Sequence, residues 1–118
     1  MTTTIALAGK GGTGKTTAAG LIIQYLVQNT DGSILAIDAD PASNLNMVLG
    51  LDVERTVGGI REDMLTQVQS SGALAGAMPG GMSKVDYLDY EVQMSLVESD
   101  RVDLLAMGRP EGPGCYCV

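Results

Sequence analysis

The sequence predicts an α/β domain in which helices flank a parallel sheet, and three features of its N-terminal third carry that expectation. Residues 2–8 form a β-branched and apolar run that stops at a glycine, the mark of a buried strand. A glycine-rich turn over residues 9–14 leads into Lys15–Asn29, where apolar and polar positions alternate with helical spacing. Residues 33–38 (SILAID) then read as a second buried strand. Strand, turn, helix and strand in that order make a βαβ unit, which crosses right-handedly and yields a parallel sheet.

Within the first helix, Thr17, Gly20, Gln24 and Gln28 recur at helical spacing, with Leu21, Ile22, Ile23, Tyr25, Leu26 and Val27 between them. That predicts a helix buried on most sides, with one narrow wet stripe. Thr30-Asp31-Gly32 ends it, Gly32 standing where a left-handed cap belongs. Pro41 opens a loop into a short helix over residues 45–49, and residues 60–69 read as another helix. Residues 70–81 (SSGALAGAMPGG) read as a loose connection. Val85, Leu88, Val92 and Leu96 keep helical spacing, and residues 102–107 read as a third strand. The run GRPEGPG at 108–114 breaks it before Cys115-Tyr116-Cys117. No repeat of fixed period is present.

A chain of 118 residues holds one domain with a modest core. With 45% apolar residues, four Tyr and neither Phe nor Trp, that core must rest on aliphatic side chains and Met. A net charge of −7 argues against unaided binding to nucleic acid or an anionic membrane. No apolar run approaches the roughly 20 residues that span a bilayer, and the N-terminus lacks the basic start and cleavage site of a secretory signal. The expected compartment is the cytoplasm, where both cysteines are reduced thiols available to a metal.

Gly9-Lys10-Gly11-Gly12-Thr13-Gly14-Lys15-Thr16 satisfies GxxxxGK[ST] between a strand and a helix, the pattern of a phosphate loop. Glycines let successive backbone N–H groups turn toward anionic oxygens, and the positive end of the helix dipole points at the same charge. Lys15 would reach the β- and γ-phosphates, and the Thr16 hydroxyl would ligate magnesium. The stretch also fits Gly9-x-Gly11-x-x-Gly14, a dinucleotide fingerprint, with Asp38 and Asp40 as its acids. That reading gives Lys15 and Thr16 no task, and neither does a turn without a ligand.

Lys10 is a surplus cation inside the glycine loop. With it, GKGGTGKTT resembles the deviant Walker A motif of the P-loop NTPase family that includes MinD, plasmid-partition (ParA) ATPases and the nitrogenase iron protein. The resemblance implies an ATP-binding ATPase whose nucleotide contacts span Gly9 to Thr17, with Lys10, Lys15 and Asp40 as catalytic residues. It implies a homodimer formed on ATP binding, in which Lys10 crosses to the partner's nucleotide and supplies positive charge as an arginine finger does. Asp38-Ala39-Asp40-Pro41 ends the second strand, the usual ligand edge of an open parallel sheet. By resemblance Asp40 orients or activates the attacking water, and Asp38 supports the magnesium environment. The other reading is that both acids end a strand and cap the next turn. Asn44 departs from the iron protein's Asp at that position, which leaves a metal-linked role there open.

Cys115 and Cys117 are too close for a comfortable disulfide but can supply two thiolates to a soft or borderline metal. Two ligands do not close a site, whereas the same pair from each subunit of a two-fold dimer gives four sulfurs, suited to zinc or nickel. The alternative is a pair of buried apolar thiols. The loop, the DADP acids and GPGCYC together resemble the CooC-type ATPases that mature nickel-containing carbon monoxide dehydrogenase. That implies nickel as cargo and carbon monoxide dehydrogenase as client, with a partition-type or positioning switch without metal as the competing reading. An iron–sulfur reductase is the distant third, since the iron protein's cluster cysteines are single and differently spaced. Members of the family are longer and insert a further strand between the first two. The expectation is therefore that residues 1–118 form the N-terminal part of one domain, with a gap in the sheet.

Overall fold

The computed structural model describes residues 1–70 and 78–109. Its elements in chain order are α1 (Lys15–Asn29), β1 (Ile34–Asp38), α2 (Leu45–Leu49), α3 (Val57–Ser70), a 3₁₀ turn (Pro79–Gly81), α4 (Lys84–Met94), β2 (Val97–Glu98) and β3 (Val102–Ala106). The α/β class holds. The strand order is β1-β3-β2, with β1 and β3 parallel from Ile34↔Val102 to Asp38↔Ala106. The two-residue β2 adds an antiparallel edge to β3, so the sheet is mixed. No helix among the described residues is long and apolar enough to cross a membrane.

One face of the sheet carries the core. Ala36, Val102 and Leu104 are buried with Leu45, and Ala19, Ile23 and Val27 of α1 pack against them with Leu49, Leu51 and Val53. The opposite face of β1 presents Leu35 and Ile37, both more than half exposed. Ile60 of α3 is buried to 1%, and Arg55 links α3 to α4 by pairing with Asp63 (3.3 Å) and with Glu91. The hydrogen bond that Arg55 donates to the Glu91 carboxylate, more than any other cause, raises the guanidinium pKa above its ordinary value. Ser83 caps α4: its hydroxyl accepts from the Asp86 amide (3.1 Å) and donates to the Asp86 carboxylate (2.7 Å).

Four expectations need correction. Residues 2–8 form no strand and are exposed throughout. A strand is stable only with a neighbour for its backbone groups, and among the described residues the outer edge of β1 has no partner. Second, α1 is less buried than its composition suggests: Leu21 and Tyr25 are more than 60% exposed. Third, Gly20 belongs to no wet stripe; it is the one buried residue of α1. A Cβ there would lie 2.3 Å from Val48 Cγ1, so the missing side chain is what lets α2 rest on α1. Fourth, Gly32 is not a left-handed cap; α1 ends on an extended Thr30. The guanidinium of Arg101 takes over the capping, donating to the carbonyls of Val27 (2.7 Å), Thr30 and Gly32 (2.8 Å).

Candidate functional site

The phosphate-loop residues lead directly into α1, the helix the motif requires, while the strand expected before them is not formed. Gly12 (φ 78°) and Gly14 (φ 86°) adopt left-handed backbone that a side chain would strain. Gly14 is the N-cap residue of α1 and supplies no capping side chain, and the first turn contains no acid. The first helical bond runs from the Ala18 amide to the Gly14 carbonyl (2.9 Å). The amides before it therefore have no intrahelical acceptor, and the positive end of the dipole is not offset by a carboxylate. Such an end suits a polyphosphate.

Lys15 folds back over the loop, its Nζ donating to the Lys10 carbonyl at 3.0 Å. The Thr13 hydroxyl donates to the same oxygen at 2.7 Å. Thr16 is half-buried, and its hydroxyl has no hydrogen-bond partner among the described residues. It is thus free to meet a magnesium ion carried in with the phosphates. The side chain of Lys10 is exposed and forms no ion pair among the described residues. Gly9, Gly11 and Thr17 are likewise exposed.

At the end of β1, Asp38 is buried to 8% and uses both carboxylate oxygens on backbone amides. Oδ1 accepts from the Asp40 amide (3.2 Å), and Oδ2 accepts from the Leu45 amide (3.0 Å). Asn44 provides no side-chain cap for α2, so a carboxylate from the preceding strand does that work. Asp40 is half-buried; its Oδ1 accepts from the Ala42 amide (2.9 Å) and its carbonyl from the Ser43 amide (2.9 Å), a tight turn of the Asx kind. Its second carboxylate oxygen has no partner among the described residues. Ser43 closes the turn at φ 48°, and its buried hydroxyl oxygen has no partner among the described residues.

The loop residues Lys10, Thr13 and Lys15 thus gather on one carbonyl, and Asp38 and Asp40 on a separate turn. Among the described residues no ion pair joins the two groups. They are connected mechanically, because α2 is held by Asp38 at Leu45 and rests on α1 at Gly20. Nothing in the residue pattern signals the convergence of Thr13 and Lys15; for Gly20, a glycine inside a helix is itself a signal of close approach. Cys115 and Cys117 lie outside the described residues.

Comparison with known proteins agrees with this geometry. Residues 4–108 match the model of the CobQ/CobB/MinD/ParA nucleotide binding domain. An uncharacterized ATP-binding protein of Methanocaldococcus jannaschii is 50% identical over 113 residues, covering 96% of this chain and 42% of the relative. The carbon monoxide dehydrogenase accessory protein CooC of Rhodospirillum rubrum is 30% identical over 116 residues, covering 96% of this chain and 44% of the relative. A second uncharacterized ATP-binding protein of M. jannaschii is 30% identical over 120 residues, covering 96% of this chain and 47% of the relative. The chain therefore spans less than half the length of these curated relatives. No solved structure matches it. A phosphate loop on an uncapped helix, in an α/β frame matched over residues 4–108, places the chain in the CobQ/CobB/MinD/ParA nucleotide-binding domain family.

Proposed function

We propose that this chain is the N-terminal part of an ATPase that dimerises with ATP and whose hydrolytic cycle loads or releases a metal held by Cys115 and Cys117. The observation that carries the reading is the uncapped start of α1, where left-handed glycines and a lysine face a site suited to a triphosphate. Gly9 to Thr17 surround the phosphates, Lys15 neutralises them, and Thr16 with the Asp38 turn provides the magnesium environment. Magnesium, when bound, adds positive charge where the leaving phosphate develops negative charge. Asp40 holds the attacking water through its unpartnered oxygen, and Lys10 reaches across the dimer to the partner's nucleotide. The identity with CooC supports carbon monoxide dehydrogenase as the client, and the resemblance of the GPGCYC segment supports nickel as the metal. Relatives of about double the length, and the unpaired residues 2–8, support a domain completed by further sequence.

A second reading has its own support, because the family match ends at residue 108, before the cysteine pair. In it the protein is a partition- or positioning-type switch whose ATP-bound dimer recruits partners, and the cysteines are incidental. Metal counting separates the two. The intact protein, purified reduced and metal-replete, should carry nickel or zinc that Cys115→Ser and Cys117→Ser remove. Binding that ignores both substitutions leaves the switch reading standing. Lys10→Ala should abolish ATP-driven dimerisation while ATP still binds; unchanged dimerisation and turnover would remove the cross-subunit role.

A further inference from the structure

The Lys10 carbonyl accepts two hydrogen bonds, from Thr13 Oγ1 at 2.7 Å and from Lys15 Nζ at 3.0 Å, which fills both of its lone pairs. A triphosphate changes that balance. Its anionic oxygens are stronger acceptors than a neutral carbonyl, so the ammonium of Lys15 turns toward them. Thr13 is then the only described donor left on the Lys10 oxygen.

The carbonyl matters because of what shares its peptide plane. The Lys10 C=O and the Gly11 N–H are fixed in opposite directions by the planar trans peptide. Holding the oxygen in place therefore aims the Gly11 amide. Little else restrains that peptide: a Cβ on Gly11 or Gly12 would meet nothing within 4 Å. Glycine backbone in open space flips readily. The Thr13 hydroxyl is no loose surface group, since it lies 3.2 Å from where a Cβ on Gly9 would stand, folded across the loop.

We propose that Thr13 is a positioning residue: its hydroxyl holds the Lys10–Gly11 peptide in its phosphate-binding orientation after Lys15 has left the Lys10 carbonyl for the nucleotide. The proposal rests on the phosphate-loop reading and concerns the residue type at a position the GxxxxGK[ST] pattern leaves unspecified.

The test uses the intact protein with Thr13→Val, which keeps the shape and loses the donor, Thr13→Ser, which keeps the donor, and Thr13→Ala as a smaller second deletion. ATP binding is titrated with magnesium, and melting is followed with and without ATP. Thr13→Val and Thr13→Ala should bind ATP about fivefold more weakly, the weight of one hydrogen bond. Thr13→Ser should stay within about twofold of wild type. Nucleotide-free melting temperatures should not change, because Lys15 still holds the carbonyl, whereas the ATP-induced rise should shrink in the two deletions. Wild-type affinity in Thr13→Val, or loss of affinity in Thr13→Ser, overturns the proposal alone. So does a lowered nucleotide-free melting temperature, which would mark a merely structural role. A wild-type protein that binds no ATP overturns the phosphate-loop reading and this proposal together.

Discussion

Replacing Asp38 by Asn keeps the side chain's size and removes one of its two acceptor oxygens. In the structure those oxygens hold the Asp40 and Leu45 amides at 3.2 and 3.0 Å, from a site only 8% exposed. An Asn amide can offer its oxygen to one of these N–H groups and must turn its NH₂ toward the other. The lost charge-assisted bond is worth about 1.5–3 kcal/mol, and a buried N–H without a partner costs about 1–3 kcal/mol. The two contributions share one group and do not add fully, so the expected loss is about 2–4 kcal/mol, a large part of a total stability of about 5–15 kcal/mol. Asp40→Asn is the control. Its one hydrogen bond, to the Ala42 amide at 2.9 Å, is of a kind Asn also makes, so stability should move by no more than about 0.5 kcal/mol. Urea unfolding of the intact variants reads stability, and phosphate release reads turnover. Asp38→Asn should lower the urea midpoint sharply; Asp40→Asn should leave it unchanged while lowering turnover at least about 100-fold, as removal of a general base does. A wild-type midpoint in Asp38→Asn would refute the scaffold role. Combined with a raised magnesium requirement, it would assign the carboxylate to the metal instead.

Gly20→Ala gains about 1 kcal/mol of helix propensity but sets a Cβ 2.3 Å from Val48 Cγ1. Overpacking of about 1–3 kcal/mol should leave it no more stable than wild type, and Gly20→Ala with Val48→Ala should recover stability in a double-mutant cycle. Arg101→Ala should lose about 1–3 kcal/mol in chemical denaturation, because three carbonyls lose one forked donor. Arg101→Lys should keep most of that loss, since an ammonium cannot reproduce the fork. Of the Arg55 partners, Glu91 is 13% exposed and Asp63 is 66% exposed, so Glu91→Ala should cost more than Asp63→Ala in thermal melts at low and high salt.

What could be read from the sequence was what is local. Helix α1, strands β1 and β3 and the short α2 announce themselves by periodicity or by an apolar run between breakers. Helix α3 starts three residues before the expected residue 60, because Thr56 Oγ1 accepts from the Gly59 amide (3.2 Å) and caps a first turn that includes Gly58 and Gly59. Strand β2 has two residues, too few for any pattern. The failure of residues 2–8 as a strand is of another kind: the segment has the right composition, but pairing is a property of two segments. The expected Gly32 cap gives way for a similar reason, since Arg101 lies far along the chain from the carbonyls it satisfies. In the candidate site the motif was enough to locate the loop at the start of α1. Side-chain directions, such as the two donors on the Lys10 carbonyl and the two amides on Asp38, follow only once the loops close.

The division of the site between two loops puts the weight on α2. Five residues cannot nucleate a helix by themselves, so α2 keeps its shape and place through its contacts. Asp38 Oδ2 holds its first amide, and Gly20 admits Val48 at its other end. The same carboxylate holds the Asp40 amide, and the same helix α1 begins at Gly14 and Lys15. A displacement of α2 must therefore break the Asp38 bond, open the contact at Gly20, or carry the Asp40 turn with it relative to the phosphate loop. The third course keeps both Asp38 hydrogen bonds, and the buried two-amide grip of Asp38 is what makes it cheaper than the first.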